Sequence, residues 1–114
     1  MGFLSYCDIK DLKLSVKGRY AVSDIKSIMA SGNLLNGALA ATPFYTIFGT
    51  PSVSSSAFEK LATIREYDWE IFGKAMMGAS QYTRGRIFNI AYELEIYSYG
   101  EKRKFWNCVS EASK

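Results

Sequence analysis

Between Ser54 and Ala79 the chain reads SSSAFEKLATIREYDWEIFGKAMMGA, and no other stretch limits the fold as much. Phe58, Leu61, Ala62, Arg65, Trp69, Phe72, Met76 and Ala79 recur at helical spacing on one stripe. Ile64, Ile71 and Ala75 widen it, while Glu59, Lys60, Thr63, Glu66, Glu70 and Lys74 lie opposite. Ser56 followed by Glu59 has the form of a capping box. The pattern predicts one amphipathic helix over 56–79. Burying its large side chains at roughly 1.5–3 kcal/mol each outweighs the Glu70–Lys74 pair, worth roughly 0.2–0.5 kcal/mol. Arg65 and Asp68 interrupt the apolar arc. An ion pair at a cleft is the sharper reading; an arginine stem lying over Trp69 with its head in water is the plainer one.

A rod of that kind needs a cover, and the flanks read as ribbons. Leu12, Leu14 and Val16 alternate with Lys13, Ser15 and Lys17, a period-two strand. Lys17-Gly18 then turns the chain into Arg19–Val22, and Ser23 caps a short helix over 24–30. Downstream, Ile90, Tyr92, Leu94 and Ile96 alternate with Ala91, Glu93, Glu95 and Tyr97, and Gly100-Glu101 suits a tight turn. Helix competes here, because Ile87, Ile90, Ala91 and Leu94 also fit a 3.6-residue stripe; β-branched and aromatic content favours strand. The expected fold is α+β over 1–114 as a single compact domain. A small antiparallel sheet of N- and C-terminal hairpins packs on the long helix and the short one.

From Ser27 to Phe58 there is no charged residue. Asn36, Gly37, Thr42 and Pro43 break this run well short of the roughly 20 apolar residues of a membrane span. Water-facing surfaces usually carry Lys and Glu, so the run is either core or a surface covered by a partner or a second copy. Leu35, Phe44, Tyr45 and Phe48 are its candidate partner-binding residues.

Histidine is absent, which removes the commonest general base and the usual partner of a serine or cysteine nucleophile. No phosphate-binding glycine loop and no paired-cysteine metal motif occurs. Glu93 and Glu95, on one face of the expected strand, could serve as acid and base or hold a hard cation; an ordinary solvent-facing edge is the plainer reading. The chain therefore reads as a non-enzyme without cofactor or metal. Cys7 and Cys108 stand near opposite ends, and MGFLSYC reaches Asp8 before an apolar leader core forms. The two cysteines could bridge if the terminal strands are neighbours, but without an export signal a cytoplasmic protein with free thiols is expected.

Two binding readings remain. The preferred one is a small protein that docks on another protein, as inhibitor or adaptor, with self-association into a homo-oligomer also in view. Aromatic content of 15% with eight Tyr supports it. The alternative is a nucleic-acid module built on a basic-aromatic hairpin with Arg84, Arg86, Tyr97, Tyr99, Lys102, Lys104 and Trp106. A net charge of +3 is too small to demand a polyanion.

Overall fold

The computed structural model describes residues 7–12, 14–32, 34, 43–44, 47–48 and 62–114. Four helices dominate: α1 (Val16–Ser31), α2 (Glu66–Met76), α3 (Gln81–Ile96) and α4 (Gly100–Ala112). The extended residues form one short antiparallel ribbon, β1 (Ile9–Leu12) against β2 (Ala62–Ile64), with Ile9 opposite Ile64 and Leu12 opposite Ala62. The expected α+β sheet of two hairpins is overturned, because both hairpin regions are helical.

The N-terminal alternation loses to a longer helical period. Gly18, Ala21, Val22, Ile25, Ile28 and Met29 are the buried residues of α1 and recur at three- and four-residue steps. Ser15, expected inside a strand, caps this helix by accepting from the Gly18 amide at 3.1 Å. Ser23 lies within α1 and caps nothing.

The central helix is shorter than its sequence pattern. It starts at Glu66, since residues 62–64 pair with β1; residues 54–61, including the Ser56–Glu59 box, lie outside the described residues. Asp68 reaches back to accept from the Arg65 amide at 3.0 Å, and the Asp8 carboxylate accepts from the Glu66 amide across 58 residues of chain. Both carboxylates sit where the positive end of the helix dipole favours them. Arg65 is exposed, and the Asp68 bond runs to its backbone, with no cleft ion pair. The apolar face behaves as its spacing predicts: Trp69, Phe72 and Met76 are fully buried.

α3 and α4 pack most closely, as an antiparallel helical hairpin. Ser80 caps α3 by accepting from the Thr83 amide at 3.1 Å. Gly100, with φ +59°, takes the left-handed conformation at the start of α4. The helical competitor was therefore the right reading of 87–98: Ile87, Ala91 and Leu94 are buried, and Tyr92 and Ile96 face outward. α4 also touches β1 and α2, and its Phe105, Trp106, Cys108 and Val109 lie in the core. An edge-to-face contact of Trp69 with Phe105 at 5.8 Å joins α2 to α4, and Phe72 at 5.8 Å from Trp69 and Trp106 at 4.9 Å from Phe105 extend the ring cluster within each helix. A disulfide links Cys7 to Cys108 and fixes the start of β1 to α4, against the expectation of free thiols.

Candidate docking surface

The described members of the sequence-predicted sites fall in different parts of the fold. Phe44 and Phe48 are 3% and 1% exposed, with their rings against Phe72 at 5.8 and 5.6 Å. They belong to the core, as does Ile47, so these three positions of the uncharged 27–58 run are covered within the chain. Residues 47–48 are helical. Leu35 and Tyr45 lie outside the described residues. Trp106 is buried as well.

The basic-aromatic set divides along α3. Arg84 is half-buried, donates from Nη1 to the Lys114 carbonyl at 3.0 Å, and keeps its Nε buried without a hydrogen-bond partner among the described residues. Arg86 is exposed with its guanidinium 5.6 Å from the Tyr82 ring centre. Tyr97 and Tyr99 stand beyond the other end of the helix, with half-buried Lys102 and Lys104 in the first turns of α4. Eleven residues of rise place Arg86 and Tyr97 about 16 Å apart. The hairpin expected to carry them is replaced by the helices α3 and α4.

Glu93 and Glu95 are likewise parted. Two residues on a helix differ by about 200° in direction, so the carboxylates leave α3 on different sides. Glu93 lies 4.0 Å from the Lys17 ammonium of α1, while Glu95 faces Asn107 and Ser110 of α4. They cannot share a proton or a cation. No group of three or more metal-ligating side chains gathers among the described residues.

What the fold does assemble is an aromatic corner where the end of α3 meets the start of α1. The chain leaves α3 through Tyr97, Ser98 and Tyr99, with the Ser98 hydroxyl donating to the Leu94 carbonyl to tie down the turn. Tyr99 precedes α4 but makes no side-chain cap bond, so its ring stands 86% exposed. Tyr97 is exposed beside it, and the Lys17 ammonium sits 4.8 Å from its ring centre. A cation–π contact at such an exposed site is worth about 0.5–1 kcal/mol, enough to bias the ring's position. Val16 and Tyr20, on either side of Lys17 along α1, are also exposed.

The chain matches no known protein family, curated protein or solved structure. Its functional reading therefore stands on geometry alone. No helix among the described residues is long and apolar enough to cross a membrane. Two shallow surface grooves, of about 260 and 300 Å³, flank α3. Both are small for a ligand site, and neither collects a set of titratable groups suited to catalysis.

Val16, Lys17 and Tyr20 escaped the sequence reading because the strand assignment ended their segment at Val22. The available signal was phase. With 18, 21, 22, 25, 28 and 29 taken as one helical face, Val16 and Tyr20 fall outside it.

Proposed function

We propose that this chain is a small non-enzymatic binding protein that docks on another protein, as an inhibitor or adaptor, through Val16, Tyr20, Tyr97 and Tyr99. The single observation that carries the reading is the exposure of these four apolar or aromatic side chains around Lys17. Tyrosines give large, stiff contact area at little entropic cost, and isolated rings cluster where interfaces concentrate their energy. Lys17, Arg19, Lys102 and Arg103 outnumber Glu93 and Glu101 around the corner, which suits a partner surface with acidic groups beside an apolar depression.

The test compares capture by the wild-type chain with capture by Tyr97→Asp and Tyr99→Asp variants, each checked for an unchanged melting temperature. A protein retained by the first and lost from both variants, insensitive to nuclease, supports the reading. Capture of nucleic acid with affinity falling steeply in salt would instead favour the alternative. Identical capture by all three proteins would remove the corner from function.

A further inference from the structure

A second face lies on α3 itself, distinct from the corner. Tyr82, Gly85, Asn89, Tyr92 and Ile96 follow one another at steps of three, four, three and four residues, so they form one outward stripe. Tyr82, Tyr92 and Ile96 are 74%, 51% and 54% exposed, and none of the five residues is charged. Phe88 stacks on Tyr92 at 5.7 Å with the rings 13° from parallel, which broadens the apolar surface. The opposite side of the helix is buried through Thr83, Ile87, Ala91 and Leu94. A helix apolar on both sides is normally covered on both.

Gly85 adds an independent mark. A glycine inside a helix weakens it, yet a Cβ built at Gly85 would meet nothing within 4 Å. Nothing among the described residues requires it, and a helix surface without Cβ at that point leaves room for another surface to approach closely.

We propose that this stripe is an interface between two copies of the chain, with their α3 helices packed antiparallel about a two-fold axis near Asn89. The choice of a second copy rests on charge. Arg86 and Glu93 flank the stripe on the same edge and stand equally far from a point between Asn89 and Ile90. Antiparallel apposition sets Arg86 against the partner's Glu93, and Glu93 against the partner's Arg86, without burying any charge along the stripe itself. The same register lays Tyr92 over the partner's Gly85 and Tyr82 against the partner's Ile96. Such self-complementarity is what an isologous interface requires.

Size is also compatible. Tyr82, Tyr92 and Ile96 are already partly buried, so two such stripes with their polar neighbours reach at most the low end of a specific interface, about 1,200 Å² in total. An interface of that size makes a weak dimer, with a dissociation constant in the micromolar range or above; Val16, Tyr20 and Tyr99 lie outside the stripe, so either proposal can fail alone.

Sedimentation of the purified chain from about 1 μM to about 1 mM tests this, since a micromolar equilibrium crosses that range. A monomer–dimer transition is expected, with Tyr92→Asp monomeric at every concentration and unchanged in helical content. Arg86→Glu alone and Glu93→Arg alone should each raise the dissociation constant about tenfold. The double variant R86E/E93R should restore it, because only the antiparallel pairing recreates both contacts. Gly85→Ala should raise the melting temperature of the dilute monomer yet weaken association. A monomer throughout, a dimer that survives Tyr92→Asp, or a double charge swap without rescue would overturn the proposal.

Discussion

The Glu95 carboxylate accepts a hydrogen bond from the Asn107 side-chain amide at 3.0 Å, joining α3 to α4 across the hairpin. Its other oxygen lies 3.3 Å from the hydroxyl of buried Ser110. A charged acceptor in a half-buried setting makes stronger bonds than a neutral one. Glu95→Ala should therefore destabilise the protein by about 1–3 kcal/mol, since it strips a charged acceptor from partly buried donors. Glu93→Ala, which loses only an exposed contact with Lys17, should stay within about 0.5 kcal/mol of wild type. Urea denaturation of both variants decides it; equal losses would mean that Glu95 does not clasp the hairpin.

Gly100 has a positive φ at the turn into α4. A Cβ there meets no neighbouring atom, so the cost of Gly100→Ala is conformational alone. It should amount to about 1 kcal/mol or somewhat more. Thermal melts provide the measure, and a stabilised Gly100→Ala would refute the left-handed turn.

The bond between Cys7 and Cys108 closes a loop over 101 residues of sequence separation. Cross-links of long loops restrict the unfolded chain most, and removing one typically costs about 2–5 kcal/mol. The double variant C7S/C108S should lose stability in that range, read from the denaturation midpoint. Rapid alkylation of cells before lysis, followed by mass analysis, should find no free thiol. That result would set the protein in an oxidising compartment. Two alkylated cysteines would restore the cytoplasmic expectation.

Trp69 is fully buried, and its indole N–H has no hydrogen-bond partner among the described residues. Trp69→Phe removes that unsatisfied donor together with some packing volume, so its cost should be under about 2 kcal/mol, whereas Phe72→Ala should cost about 3–5 kcal/mol. Chemical denaturation ranks the two. A larger loss for Trp69→Phe would show that the indole nitrogen does have a partner.

Burial holds the Lys26 ammonium below the ordinary lysine range by desolvation. Between the depressed folded value and the unfolded one, the unfolded chain binds more protons. Stability therefore gains from Lys26 as pH rises through that window, and the cost is fully present at lower pH. An NMR titration of the lysine side chain in native and urea-unfolded protein should give the lower midpoint in the native state. Equal midpoints would contradict it.

The sequence by itself determined which side of the 66–76 segment is buried. Trp69, Phe72 and Met76 are large, apolar and spaced for a single helical face, and no other arrangement hides all three. It determined also that Gly100 stands at a turn, because a residue without Cβ is the economical choice there. Only the tertiary structure decided between strand and helix for 12–22 and for the C-terminal segment after 86. There, short alternations such as Leu12–Leu14–Val16 satisfy period two while Gly18–Met29 and Ile87–Leu94 satisfy period 3.6. Local pattern leaves the two nearly balanced, and packing of α1 and α4 against α3 tips them. Exposure followed the same rule. Nothing local separates Trp106 in the core from Tyr99 in water, or sends Glu93 to α1 and Glu95 to α4. Which aromatic is a contact and which is core depends on what folds over it, and that cover comes from residues distant in the chain.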